Sequence, residues 1–304
     1  AVGEDYKKPE LTVPEAWSSV NAEKKPNIQV EADHEIAADW WKIFSDEKLN
    51  QLIEKALAEN NDLQIAKARV AEARANEAAT DANLYPEVNG VASITREKLN
   101  DINGSKPSTY KQAGLSGNWD LDIFGRNRRR NEAAMASIES SMADMESARI
   151  TIINEVARNY ILYRNYQQQQ IIIQRNIETQ DTTLNTANEQ RKAGLVSDLD
   201  VTRANAQVKT TAARLPQIET AMFASITRLM TLTNQSYEQV NGLLADRQAI
   251  PLVPTEQVVS LPMSAIRNRP DVISAERKLA EATALDAAAF AEYFPNLSLE
   301  AFLG

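Results

Sequence analysis

The sequence predicts a mainly helical, elongated protein with a smaller β part, arranged as two copies of one unit. Three observations predict this. Glycine and proline are absent from residues 27–85 and again from residues 126–193. Two segments between those intervals alternate apolar and polar residues with period two. The stretch Val70 to Pro86 recurs as Leu279 to Pro295.

Composition sets the frame. The 304 residues are 43% hydrophobic and 25% charged, values of a folded chain. Aromatics at 6% and only nine glycines favour helix over sheet. The net charge of -9 repels phosphate backbones, so no nucleic-acid partner is expected. Cysteine is absent and His34 is the single histidine, which removes disulfides, thiolate nucleophiles and nearly every zinc arrangement. Neither a catalytic constellation nor a phosphate-cradling glycine loop is found, so no enzyme, cofactor or metal is expected. No apolar run approaches the roughly 18 residues of a membrane-spanning helix.

Residues 1–45 read as an extended N-terminal segment, anchored by Trp40 and Trp41, and residues 46–85 as a first helix. Residues 86–124 then read as a β-hairpin with turn-rich residues 100–109. In its first strand Val88, Gly90, Ala92 and Ile94 share one face, opposite Glu87, Asn89, Ser93 and Thr95. In its second strand Ala113, Leu115, Trp119 and Leu121 share one face, opposite Gln112, Ser116, Asn118 and Asp120. Such alternation describes a half-buried soluble hairpin as well as a barrel strand with lipid on one side.

Residues 126–234 read as a long helical hairpin. An unbroken helix from Arg126 to Ala193 would reach on the order of 100 Å. Its seam is expected along Ile138, Met142, Met145, Ile152, Val156, Tyr160 and Tyr163, and Gln167 to Gln170 read as a solvated face. Gly194 suits a helix C-terminus after Arg191 and Lys192, and Ser197 or Asp198 can cap the next helix. That helix runs to about Asn234 with a kink at Pro216. Basic residues Arg126, Arg128, Arg129 and Arg130 open the long helix and read as a lipid-headgroup contact or a solvated start.

Residues 235–263 form a connecting equatorial segment, and residues 264–304 begin a second copy. There Ala280-Glu281-Ala282 repeats Ala71-Glu72-Ala73, and Phe294-Pro295 repeats Tyr85-Pro86. Helix, proline, strand thus occurs twice, which favours the barrel reading of the hairpin. The second copy reaches Gly304 barely into its strand, which is expected to lack a partner, the rest of the repeat being missing.

Several segments together resemble the TolC-like outer membrane factors, in particular the lipoprotein (NodT/OprM-type) branch serving tripartite efflux systems. They are Val2 to Pro9, Asp39-Trp40-Trp41-Lys42-Ile43-Phe44, Trp119 to Arg126, Ala193 to Ser197, and Arg269-Pro270-Asp271-Val272. The resemblance implies a homotrimer at the outer membrane of a Gram-negative bacterium, with a periplasmic α-barrel and a transmembrane β-barrel completed by trimerisation. It implies an exit duct working with a periplasmic adaptor and an inner-membrane pump of RND type, anchored through an acylated cysteine before Ala1. Ala193, Gly194, Leu195, Val196 and Ser197 would then dock the adaptor. Asp198 and Asp200 would be candidate gate residues. Val88, Ala92, Ile94, Ala113, Leu115, Trp119 and Leu121 would face outer-membrane lipid. A periplasmic adaptor or a coiled-coil scaffold without channel activity is the alternative reading.

Overall fold

In a computed structural model of the chain, the described residues are 1–10, 12–14, 28–31, 39–97, 107–253, 257–260 and 262–304. His34 and most of the turn at 100–109 lie outside them. The elements in order are β1 (Ile28–Glu31), a short 3-10 helix (Trp40–Phe44), α1 (Glu47–Glu59), α2 (Asn61–Ala82), β2 (Glu87–Glu97), β3 (Ser108–Asp120), α3 (Arg126–Lys192), α4 (Asp198–Ala212), α5 (Leu215–Thr233), α6 (Tyr237–Leu244), β4 (Gln257–Ser260), α7 (Pro262–Arg267), α8 (Pro270–Ala291) and β5 (Ser298–Leu303). Two compact units form from discontinuous stretches. One takes Ala1–Val13, Ala66–Ser147 and Ala265–Gly304; the other takes Pro14–Ile65 and Ala148–Ser264.

The second unit holds the larger apolar core. α1 contributes Leu49, Leu52, Ile53 and Ala56, an i, i+3, i+4, i+7 stripe that is wholly buried. It meets Ile226, Leu229 and Leu232 of α5, with Val240 and Leu244 of α6 and Ile153, Val156 and Tyr160 of α3 also buried. Each such side chain contributes roughly 1.5–3 kcal/mol by leaving water. β1 and β4 pair in parallel, Ile28 opposite Gln257. Trp41 is buried as expected of an anchor, but Trp40 is only half-buried.

The helix expected over 46–85 is broken at Asn60, whose backbone leaves helix (φ -65°, ψ 128°). Its buried amide works in both directions. Nδ2 donates to Leu232 O (2.9 Å), while Oδ1 accepts from the N–H groups of Asp62 (2.9 Å) and Leu63 (3.2 Å). An asparagine can therefore end one helix and cap the next without glycine or proline. At Pro216 the break falls where expected, between α4 and α5, with the proline at the start of α5.

The seam of α3 differs from expectation in its first third. There Ala133, Ala136, Ser140 and Ala143 are buried, whereas Met142 remains 44% exposed. α8 likewise buries small residues, Ser274, Ala280, Ala284, Ala287, Ala288 and Ala291. The hydroxyls of Ser140 and Ser274 hydrogen-bond at 3.2 Å, flanked by Arg277–Glu139 (2.9 Å) and Lys278–Asp144 (3.0 Å). A seam chosen by side-chain hydrophobicity alone misses buried alanines.

The glutamine run is likewise not uniformly solvated, because Gln167 is buried against Arg164. The Arg164 side chain is 0% exposed. Its guanidinium donates to Gln167 Oε1 (2.7 Å), Leu244 O (3.2 Å), Asp246 O (2.8 Å) and Gln248 Oε1 (3.3 Å). It also stands 5.0 Å from the centre of the Tyr160 ring. The carbonyls at the end of α6 thus accept a buried cation, the favourable polarity at a helix C-terminus. Tyr160 donates its hydroxyl to Asp46 Oδ2 (2.6 Å), and Asp46 Oδ1 caps α1 at the Leu49 N–H (3.1 Å).

Burial, then the bond to Asp46, pushes the Tyr160 phenol up to about 12. An unfolded tyrosine ionises near 10, so this group supports the fold fully below about pH 10 and loses its contribution as pH rises toward 12. The stability advantage of wild type over Tyr160→Phe is expected to shrink across that window in denaturant titrations. An advantage independent of pH would remove the phenol from this role.

Candidate functional site

Two regions carry the features that the sequence singles out, a β-ribbon in the first unit and a helical apex in the second. In the ribbon, β2 and β3 pair antiparallel, with Val88 opposite Gly117, Gly90 opposite Leu115, Ala92 opposite Ala113 and Ile94 opposite Lys111. Val88, Ala92, Ile94, Ala113, Leu115 and Trp119 consequently share one face. That face is open: Ile94 is 74% exposed and Leu115 53%. Leu121 lies just past β3, where its N–H donates to Leu297 O (3.0 Å).

The strand of the second copy has a partner after all. β5 pairs antiparallel with β3, placing Leu299 opposite Trp119, Ala301 opposite Gly117 and Leu303 opposite Leu115. The sheet order is β2-β3-β5. Leu299, Ala301 and Leu303 thereby join the same apolar face. Sequence reasoning did not select them, although the repeat aligns β5 with β2 and carried the signal.

Between ribbon and helix the chain turns within Asp122 to Gly125, both of which have positive φ (42° and 85°). The Asp122 carboxylate accepts from the N–H groups of Asn127 (2.9 Å) and Arg128 (3.0 Å), placing an anion on the positive end of α3. The basic cluster is paired with carboxylates. Arg126 pairs with Asp120 (2.8 Å), Arg128 with Asp122 (3.4 Å) and Arg130 with Glu292 (2.8 Å). Arg129 is buried and bound to Asp5 (2.6 Å), Glu132 (2.8 Å) and the carbonyls of Val2 and Gly3. These charges fasten the first residues of the chain. The Val2 N–H donates to Phe124 O (2.9 Å), and Phe124 stacks on Phe294 of the second copy at 4.8 Å.

At the apex α3 ends in a Schellman motif. The Gly194 N–H donates to Arg191 O (3.0 Å) and the Leu195 N–H to Gln190 O (2.9 Å), with Gly194 at φ 74°. Ser197, not Asp198, caps α4. Its hydroxyl and backbone pair reciprocally with Asp200, a capping box. Asp198 instead forms a two-pronged pair with Arg191 (2.6 and 2.8 Å), joining the two helices of the hairpin. Those bonds hold the carboxyls of Asp198 and Asp200 below the ordinary carboxylate range. Leu195 is left 74% exposed and Leu199 is also exposed, while Ala193 and Val196 complete the turn.

An antiparallel ribbon with one open apolar face, rooted on helices whose helix-proline-strand unit recurs in sequence, has the pattern of a β-barrel protein with a helical extension. The chain belongs to the outer membrane efflux protein family, whose description matches residues 52–235. It is 32% identical over 298 residues to Nodulation protein T of Rhizobium leguminosarum bv. viciae, covering 98% of this chain and 60% of that protein. It is 28% identical to the pyoverdine export outer membrane protein OpmQ of Pseudomonas aeruginosa, covering 96% of this chain and 62% of that one. The solved structure of the outer-membrane channel OprN superposes with a TM-score of 0.90 at 32% identity, covering all of this chain and 67% of its own. The chain therefore spans about 60% of the length of the curated relatives it matches. Its fold is that of the outer-membrane efflux channels, a helical part with a β-barrel part, and its place is the outer membrane.

At the junction, a Cβ on Gly125 would come within 2.5 Å of Ala1. Gly125→Ala is expected to cost roughly 1–2 kcal/mol from its left-handed backbone alone and to release the first residues. Faster proteolysis of the N-terminal segment in the variant checks this; unchanged protection would contradict it.

Proposed function

We propose that this chain forms part of the wall of an exit duct, through which an efflux system passes small molecules across the outer membrane. The observation that carries the reading is the open apolar face of β2, β3 and β5. Water solvates such a face poorly, and bilayer hydrocarbon solvates it well. The residues Val88, Ala92, Ile94, Ala113, Leu115, Trp119 and Leu121 would then meet lipid, and the opposite polar face with Asn89, Gln112, Ser116 and Asn118 would line a water-filled lumen. Closing the barrel needs further strands, supplied in this reading by sister subunits of a homotrimer.

Transport along the duct is passive, with energy supplied by an inner-membrane pump of RND type through a periplasmic adaptor. The exposed Leu195 and Leu199 at a rigidly capped apex give that adaptor a small apolar target. Asp200, repeated by threefold symmetry, would set a ring of carboxylates at the entrance. An acylated cysteine ahead of Ala1 would enter beside Gly125, at the base of the ribbon. An adaptor would instead carry a β-rich half after its hairpin as well as before it, where this chain carries the helices α6, α7 and α8 with only the four-residue strand β4 among them.

Full-length protein in planar bilayers is expected to give discrete single-channel steps; a lasting absence of conductance would rule out the duct. Leu195→Asp is expected to lower cellular export at least about tenfold by removing an apolar anchor, with trimer yield unchanged. Undiminished export would count against docking at the apex. Asp200→Asn is expected to weaken cation preference in single-channel records, and an unaltered preference would exclude Asp200 from the gate.

A further inference from the structure

The apolar face of the ribbon is not apolar along its whole length. Arg96 of β2 stands opposite Thr109, and Lys111 of β3 stands opposite Ile94, so both lie on the face of Val88, Ala92 and Leu115. They are diagonal neighbours across the two strands, about 7–8 Å apart by strand geometry. Both are exposed, and among the described residues neither forms an ion pair. The carboxylates of the three strands cannot serve them. Glu87, Glu97, Asp120 and Glu300 all fall on the opposite face.

Position along the strand gives this pair its meaning. Thr109, the partner of Arg96, lies ten residues from Trp119 on β3, about 34 Å along the strand, or roughly 24–28 Å of height at the 35–45° tilt of a barrel strand. An outer-membrane barrel presents an apolar band about 25 Å tall. The pair therefore sits at the far rim of the band, at the end remote from the helices. The near end of the same face carries no cation; its polar feature is Trp119, whose indole N–H donates to Leu84 O (3.1 Å). Charge on this face is confined to one rim, and two cations so close repel unless an anion lies between them.

We propose that Arg96 and Lys111 form a phosphate-binding site for a phosphorylated glycolipid of the outer leaflet. The inference rests on the reading of the ribbon as membrane-spanning, with the helices on the periplasmic side. The exterior leaflet of this membrane then meets the Arg96 rim, and its glycolipid headgroups carry phosphate at the boundary of the hydrocarbon. Arg96 offers a planar fork of donors to two phosphate oxygens, and Lys111 adds a compact charge from the neighbouring strand. The acyl chains of the same lipid would lie along Ile94, Leu115 and Leu303.

The test uses full-length protein reconstituted in phosphatidylethanolamine vesicles with or without diphosphoryl lipid A. Native mass spectrometry after extraction counts the lipid A retained. Wild type is expected to retain it, and the double variant Arg96→Gln, Lys111→Gln to retain about tenfold less through loss of two charge-assisted contacts. Insertion is read separately, as a heat-modifiable, protease-resistant barrel band. Should wild type fail to insert, the membrane-spanning reading falls and this site with it. Should both proteins insert and retain equal lipid A, the site is overturned while the reading stands. Equal retention of phosphatidylglycerol by wild type would overturn the choice of glycolipid.

Discussion

The structure depends on a surface that the described residues leave open. Three strands form a sheet whose one face is apolar from end to end of its core, and the described helices leave that face open. The outer edges of β2 and β5 also have no strand beside them among the described residues. Open edges and an open apolar face are two halves of one problem, since unpaired backbone groups cannot be left in hydrocarbon. In the proposed reading, closure into a ring would satisfy the edges, and lipid would satisfy the face. Neither remedy is available to an isolated ribbon of three strands.

What the chain does bury, it buries for positioning. Asp46 caps α1 and accepts the Tyr160 hydroxyl; Arg164 gathers the carbonyls that follow α6; Asn60 ends one helix and starts another. Asp122 caps α3 where the chain leaves the ribbon, and Arg129 ties the first residues to that same turn. Each device fixes a direction change at which backbone groups would otherwise be orphaned. The apex of the helical hairpin is mostly exposed, and it is held by local caps rather than by a core.

Much of this was legible because periodicity reports solvent contact directly. The alternation of Val88 to Ile94 and Ala113 to Trp119 gave the shared face, and the register bears it out. The absence of glycine and proline gave the uninterrupted run of α3, and Gly194 its end. Other features were hidden for physical reasons. Asn60 breaks a helix by side-chain hydrogen bonding, which no glycine or proline count can register. Alanine and serine make the buried stripe in the first third of α3, whereas large apolar residues pointed to Met142. The basic cluster at the start of α3 has two partners, Asp5 and Glu292, that are distant in sequence, and only the fold brings them to Arg129 and Arg130. Leu299, Ala301 and Leu303 were within reach of the repeat but depended on which strand β5 would join.

The claim most open to direct measurement is that one face of the ribbon meets hydrocarbon and the other water. Spin labels placed singly along residues 112–119 of the full-length protein in bilayers report the environment of each position. Collision rates with oxygen should peak at 113, 115, 117 and 119, and those with a water-soluble nickel complex at 112, 114, 116 and 118. Uniform access of the nickel complex to both sets would mean that no bilayer covers this face.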